Sequence, residues 1–341
     1  MAIYLPRGPI LEDPEIDQLN VSALQSILPC HVIQVNYRCS KLHQYPTPIH
    51  DVATGYDWIV SNLLPRRAIT RVGRSEHVGR VAVCGELIGG QLAAMLALTE
   101  CRIGEPGVVA AALNNPIVDW VAFQEEMQVW PPVKKQNLSG LSLSVSELQK
   151  HRSQLFRKSA HYYDSFASPA LLFRTSGTEV PGESEKGPQD DEDDLDELAR
   201  FEREDFFREQ RALSAVQGLL EPSHLSDVSA PIIKKRKSSR RYPSKALGLR
   251  LPRFSITGGA DSILSGQADE LSQLLKQSFA RVANAAPPRG WTSNDGNHDS
   301  PVSDDMVHRE RYTGLGLWDN TSAGRDRMRS VASWLESSLT R

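Results

Sequence analysis

Short apolar runs and longer amphipathic stretches alternate through residues 2–120. The apolar runs predict four β-strands, at Ala2–Leu5, Val32–Asn36, Val81–Cys84 and Val108–Leu113. The amphipathic stretches predict three helices, at Val21–Ile27, Ile49–Leu63 and Ile88–Thr99. In the second of these, Val52, Tyr56 and Ile59 recur at the spacing of one helix face, which predicts a buried stripe. Strands that alternate with helices in this way predict a parallel sheet with crossover helices, an α/β fold.

Two later segments interrupt this pattern. Residues 179–245 carry an acidic run, Asp190–Asp194, and a basic run, Lys234–Arg241, with few apolar residues between them. Because such a segment cannot bury enough apolar surface to offset its ordering entropy, we expect a disordered charged insert. Residues 283–304 are rich in Pro, Gly, Asn and Ser and predict a polar linker. The whole chain, residues 1–341, is interpreted as a single domain that contains both segments.

The segment Arg80–Glu100 carries the most informative motif. Its apolar run ends at Gly85-Glu86-Leu87-Ile88-Gly89, and a helix-like stretch rich in Ala and Leu follows. That is the strand–turn–helix context of the nucleophile elbow G-x-S-x-G. The position that would hold the serine is Leu87. A leucine side chain cannot attack a carbonyl, so it cannot form an acyl-enzyme.

Further segments extend this likeness in chain order. They are Asn36-Tyr37-Arg38 after a strand, Asp51 with Tyr56 and Trp58 on a helix, Gly259–Leu264 (GADSIL), and Tyr312–Trp318 (YTGLGLW). With these motifs the chain resembles the α/β-hydrolase fold-3 family, which is similar to hormone-sensitive lipase, and its polar loops resemble those of fungal members.

The resemblance implies an α/β-hydrolase-like, mostly parallel sheet flanked by helices. It further implies a chain shortened at its N-terminus, a small helical cap at residues 119–166, and strands at Ala170–Arg174 and Arg253–Thr257. Within the cap, Trp120–Trp130 and Val145–Phe156 are predicted helices, the second with Ser144 or Ser146 and Glu147 as its capping residues.

The sequence departs from the family at the positions of the catalytic residues. The resemblance implies a His-Gly-Gly-Gly loop after the strand Ala2–Leu5, but the chain has Pro6, Arg7, Gly8 and Pro9 at these positions. The two prolines lack the backbone N–H groups from which an oxyanion hole is made. Leu315 takes the place of the family's histidine, and Asp261 alone remains at a triad position. An acidic residue without serine and histidine cannot carry out acyl transfer.

Other residues could replace the lost groups. Ser75, Ser262 and Ser265 are alternative nucleophiles, although none lies on a predicted elbow, and His298 and His308 are alternative bases. Glu86 is interpreted as a solvated turn residue. The aromatic residues Trp120, Phe123 and Trp130 are candidates to line a pocket for an apolar ligand, and ordinary packing between cap and core is the alternative.

Composition further limits the possible classes of function. The net charge of −3 does not favour nucleic-acid binding. No apolar run reaches the length of a membrane span, and four cysteines in this long chain favour a reducing, cytoplasmic compartment. Neither a cofactor nor a metal ion is expected, and the partner would be an apolar small molecule or a protein. The sequence therefore predicts a catalytically degenerate pseudo-esterase with a binding or accessory role. The alternative is an active esterase or a non-hydrolytic tailoring enzyme that uses a non-standard set of catalytic residues.

Overall fold

In the part of the chain that the structure describes, six strands form one fully parallel sheet in the order β2-β1-β3-β4-β5-β6. The computed structural model describes residues 1–64, 79–123, 144–178, 237–285 and 305–340. They all belong to one compact unit. The strands are β1 Ala2–Leu5, β2 Val32–Gln34, β3 Arg80–Glu86, β4 Gly107–Asn114, β5 Arg253–Gly259 and β6 Val307–Tyr312. The α-helices are α1 Pro14–Ile27, α2 Thr47–Asn62, α3 Ile88–Thr99, α4 Val145–Leu155, α5 Ser159–Tyr162, α6 Ser265–Ala285 and α7 Ser322–Thr340.

Helices cover both faces of the sheet, as an all-parallel sheet requires. Alternate residues of β1 illustrate the division: Ile3 and Leu5 belong to the apolar cluster that includes α2, α3 and α6. Ala2 and Tyr4 belong to the cluster that includes α1 and α7. The predicted α/β-hydrolase-like fold class is therefore confirmed.

The order of the strands reverses direction between β1 and β3. From β1 the chain moves outward to β2, and it then crosses back so that β3 pairs with the other side of β1. In open parallel sheets, ligands bind beyond the carboxyl ends of the strands at such a reversal. The residues that follow β1 and β3 lie at this point. They are Pro6–Pro9 and Leu87.

The helices predicted from periodicity are present, but two begin earlier than expected, and α2 begins at Thr47 rather than at Ile49. Helix α1 begins at Pro14 rather than at Val21, because Asp13 caps its N-terminus by accepting from the backbone N–H groups of Glu15 and Ile16. Proline at the first helical position also favours this start. Helix α4 has the expected capping box, in which Ser144 and Glu147 bond to each other's backbone. Of the predicted helix Trp120–Trp130, Val121–Phe123 form a short 3₁₀ turn and residues 124–130 lie outside the described ranges.

The strand expected at Ala170–Arg174 is wrong. Residues Pro169–Leu172 form a 3₁₀ turn, and the direct neighbour of β4 in the sheet is β5. Pro169 lacks an N–H group, while the N–H of Ala170 donates to the carbonyl of Val118 at 3.0 Å. The apolar run therefore anchors the chain against Val118, which follows β4, instead of adding a strand to the sheet. A short apolar run does not by itself distinguish these two outcomes.

The end of the predicted charged insert is folded. Arg240 donates its backbone N–H to the carbonyl of Phe173, and Ser239 forms an isolated antiparallel bridge with Arg174. Tyr242 packs edge-on against Phe173 and donates its hydroxyl to the carbonyl of Leu98 at 2.7 Å. The expectation of disorder is thus wrong for residues 237–245. Residues 179–236 lie outside the described ranges, and disorder there stays a prediction. Helix α6 also takes the first residues of the predicted polar linker, up to Ala285.

These contacts give a testable pattern of proteolysis. We expect trypsin to cut first within residues 183–236, which carry like-charge runs without an apolar stripe. The bonds after Arg240 and Arg241 should be cut later, because that backbone is held by Phe173 and by Arg281. Mass spectrometry of a digestion time course measures the order. Early cleavage after Arg241 would contradict the folded arrangement of this segment.

Candidate functional site

The turn between β3 and α3 has the backbone geometry of a nucleophile elbow. Leu87 has φ 55° and ψ −114°, and α3 begins at the next residue. A positive φ is unusual for a leucine and costs about 1–3 kcal/mol, so the surrounding structure must impose it. Gly85 and Gly89 permit the turn: a Cβ on Gly85 would overlap the backbone of Gly89, and one on Gly89 would overlap the carbonyl of Leu5. The frame predicted from the sequence is present, with leucine at its centre.

The side chain of Leu87 is fully buried. It belongs to the large apolar core cluster, together with Ile10, Ile88 and Ile117. The backbone N–H of Leu87 donates to the carbonyl of Asn114 at 3.1 Å, which ties the turn to the end of β4. This elbow therefore supplies core packing and presents neither a nucleophile nor an exposed surface.

The loop after β1 is held in place by Tyr37. The Tyr37 hydroxyl donates to the carbonyl of Pro6 at 2.7 Å. Gly8 has φ 75°, and a Cβ there would lie 2.9 Å from the Tyr37 hydroxyl oxygen. Of the four residues Pro6–Pro9, two are prolines and have no backbone N–H. Arg7 and Gly8 are left as candidate donors for an oxyanion.

Glu86 is the centre of a buried polar network, so its interpretation as a solvated turn residue is wrong. Its carboxylate is fully buried and accepts from Arg7 Nε at 2.5 Å. The other carboxylate oxygen accepts from Asn114 Nδ2 at 2.5 Å and from the Trp318 backbone N–H at 2.8 Å. Burial raises the pKa of Glu86, and Arg7, Trp318 and Asn114 lower it in part. Because these four groups satisfy one another, the network joins β1, β3, β4 and the segment after β6.

The network continues from Arg7 towards helix α1. Arg7 Nη2 donates to the carbonyl of Trp318 at 2.6 Å, and Asn20 Nδ2 donates to the same carbonyl at 3.3 Å. Tyr4 donates its hydroxyl to Asp17 at 2.7 Å. Burial raises the pKa of Asp17, while the hydrogen bond from Tyr4 lowers it in part. The side chain of Arg7 thus lies in this buried network, although the family resemblance implies a glycine at its position in the loop.

The other two triad positions lie beside each other. The backbone N–H of Asp261 donates to the carbonyl of Gly314 at 3.1 Å. Asn115 joins the two loops: its Nδ2 donates to the carbonyl of Leu315 at 3.0 Å, and its Oδ1 accepts from the Gly259 N–H at 3.3 Å. The Asp261 side chain is exposed. The structure therefore brings together the acid loop and the loop that would carry the histidine, but the histidine position holds an alkyl side chain.

The alternative nucleophiles and bases gain no support from their positions. His308 pairs in register with Ser255 near the amino end of β6, whereas Leu315 follows the carboxyl end of that strand. His308 therefore lies at the opposite end of β6 from the histidine position. Ser262 is buried, and its hydroxyl accepts from the Leu264 N–H. Ser265 begins helix α6. Ser75 and His298 lie outside the described residues.

The two described aromatic candidates, Trp120 and Phe123, pack against each other beside α3. Trp120 is fully buried and donates its indole N–H to Gln91 Oε1 at 2.8 Å. Its ring meets Phe123 and Phe156 edge-on, with centroids 6.0 and 5.4 Å apart. This arrangement matches the packing alternative, while a ligand pocket stays a prediction. Trp130 lies outside the described residues. Across the described ranges, no cluster of His, Cys, Asp and Glu is arranged to hold a metal ion, and no helix is long and apolar enough to cross a membrane.

The sheet topology and the elbow define a protein of the α/β-hydrolase class. The model of the alpha/beta hydrolase fold family matches residues 8–178, about half of the chain. The chain belongs to this family. Over 91 residues it is 32% identical to esterase LipI of Mycobacterium tuberculosis, a stretch that covers 26% of this chain and 25% of that protein. The match thus spans about a quarter of that relative's length.

Solved esterase structures share the fold. A Pyrobaculum calidifontis esterase has a TM-score of 0.54 and 17% identity, covering 100% of this chain and 77% of its own. A structure from a study of two Rhizomucor miehei esterases has a TM-score of 0.56 and 13% identity, covering 99% and 73%. A Pseudomonas putida esterase has a TM-score of 0.55 and 14% identity, covering 99% and 74%. At these identities the likeness is one of fold alone.

Proposed function

We propose that this protein is an α/β-hydrolase-fold protein that does not perform Ser-His-Asp acyl transfer and has a binding or accessory role. The observation that carries the proposal is Leu87, which stands at the elbow with φ 55° and is fully buried. A substrate carbonyl would meet a buried alkyl side chain at this turn instead of a nucleophile. Leu315 and the Pro6–Pro9 loop support the proposal independently, because the base and the oxyanion donors are altered as well.

The comparisons, taken alone, favour the alternative of an active enzyme. Each named relative is described as an esterase. The exposed Asp261 is the described group best placed to act in a different constellation, as a general acid or base. Such an enzyme would be a hydrolase of the carboxylesterase type or a non-hydrolytic enzyme that acts on an apolar metabolite. Its nucleophile would be water or a second substrate, since Leu87 cannot serve.

The two candidates differ in one assay. We expect the purified full chain to hydrolyse short p-nitrophenyl esters no faster than buffer, and a fluorophosphonate probe to label none of its serines. An active serine esterase provides the positive control. Turnover that is abolished by the fluorophosphonate would overturn the proposal. Turnover that resists the probe but falls in Asp261→Asn would instead establish the alternative.

A further inference from the structure

A cleft lies at the amino end of the sheet, opposite the elbow. Its volume is about 530 Å³, within the range of about 300–1,000 Å³ of small-molecule sites. Its walls come from the start of β3, the turn between α3 and β4, Arg250 and the C-terminal part of α7. Apolar groups contribute part of the lining, from Ile103, Val108 and Leu339. The cleft is therefore large enough for a small metabolite.

Three exposed arginines line this cleft: Arg80, Arg102 and Arg250. Arg80 donates from Nη1 to the carbonyl of Leu339 at 3.1 Å, which fixes its head at the cleft wall. The guanidinium groups of Arg102 and Arg250 form no hydrogen bond or ion pair with any residue in the described ranges. Among the described lining residues, Glu105 is the single acidic one. This described lining carries three arginines against one carboxylate, and two of the arginines have no partner within it.

The backbone brings the chain segments of Arg102 and Arg250 together at the cleft. Arg102 forms an isolated antiparallel bridge with Leu249, and the backbone N–H of Arg250 donates to the carbonyl of Cys101 at 2.8 Å. The C-terminus of α3 favours a positive charge at Arg102 through the helix dipole. This dipole does not account for Arg80 and Arg250, which line the same cleft.

We propose that this cleft binds a small molecule that carries a phosphate group. Arginine forks bond phosphate oxygens in pairs, and three guanidinium groups match the charge and the number of oxygens of a phosphate better than those of a single carboxylate. The apolar wall of Ile103, Val108 and Leu339 would contact an uncharged part of the same molecule. The proposal does not depend on the chemistry of the elbow.

Calorimetric titration of the full chain with inorganic phosphate, inorganic pyrophosphate and phenyl phosphate tests the site. We expect saturable binding of all three, and phenyl phosphate should bind more tightly than inorganic phosphate because it also contacts the apolar wall. Arg102→Ala/Arg250→Ala should weaken pyrophosphate binding about tenfold or more, since it removes two charge-assisted contacts. Arg102→Lys/Arg250→Lys keeps the charges and should lie between.

The matched control is Arg325→Ala/Arg329→Ala on α7, which removes the same net charge at another place on the surface. Its affinity for pyrophosphate should equal that of the unaltered chain. Equal losses in both double variants would mean unspecific attraction, and the absence of saturable binding to the unaltered chain at near-physiological ionic strength would also overturn the site. Thermal unfolding without ligand separates binding from stability. If Arg102 serves only the helix dipole, its variants lose stability without a specific loss of affinity.

Discussion

Replacing Glu86 with alanine is expected to lower the free energy of unfolding by about 3–5 kcal/mol. The reason is the guanidinium of Arg7, which is 2% exposed and would remain in the core without its carboxylate. Asn114 Nδ2 and the Trp318 N–H would lose their acceptor at the same time, and each unsatisfied buried donor adds a cost. Urea denaturation followed by circular dichroism measures the change in midpoint and slope.

Two further variants separate the charge from the hydrogen bonds. Glu86→Gln keeps an oxygen for Trp318 and Asn114 but removes the charge that faces Arg7, so its loss should be intermediate. Arg7→Ala/Glu86→Ala should lose less than the sum of the single variants, because no uncompensated charge is left. The control is Asp51→Ala, which breaks an ion pair with Arg38, whose side chain is 62% exposed, and should cost at most about 1 kcal/mol. Glu86→Ala with a cost no larger than that of Asp51→Ala would contradict the role assigned to the network.

The periodicity of the sequence predicted the elements that position the elbow. Strand β1 was predicted at its observed bounds, and α3 was predicted from Ile88 to Thr99 as the structure has it. Both succeed because a buried parallel strand and a buried helix each require a continuous local apolar pattern. The turn at Leu87 was also predictable, since Gly85 and Gly89 are the residues that such a close approach of backbones demands.

The Glu86 network was not predicted, because its members are distant in the sequence. Arg7 and Glu86 are 79 positions apart in the sequence. Considered alone, each has the features of an ordinary loop or turn residue. Their pairing follows from the order of the strands. Leu5 and Gly85 are register partners in β1 and β3, so the residues that follow them emerge side by side at the carboxyl end of the sheet. A charged residue of each sign at the carboxyl ends of two adjacent strands is thus a signal for an ion pair, once the strand order is known.

Leu87→Ser is expected to restore no esterase activity and to destabilise the fold. The new hydroxyl would have an alkyl side chain at Leu315 in place of a base, and the loop at Pro6–Pro9 offers at most two backbone donors for an oxyanion. Because these groups act as a unit, repair of a single member gains little. Removal of the buried leucine side chain costs about 2–5 kcal/mol, and the buried hydroxyl adds to this unless it finds a partner. Ester turnover and urea denaturation of the same preparation measure both effects.

The paired variant Leu87→Ser/Leu315→His tests whether the base is the missing part. We expect it to remain far below an active esterase, since the oxyanion loop is unchanged and one hole donor is worth about 3–4 kcal/mol of transition-state stabilisation. Strong hydrolysis by Leu87→Ser alone would mean that another residue already acts as base, and it would favour the enzyme alternative.

Leu87→Ala and Leu87→Gly separate packing from backbone strain at the same position. Alanine keeps the unfavourable φ of 55°, whereas glycine adopts it freely. The left-handed region costs a residue with a Cβ about 1–2 kcal/mol. Glycine should therefore be no less stable than alanine here, although it buries one methyl group less. The reverse order, with glycine clearly the weaker, would mean that the turn carries no strain. The elbow backbone would then be a conformation that leucine adopts without cost, rather than one that the surrounding strands and glycines impose on it.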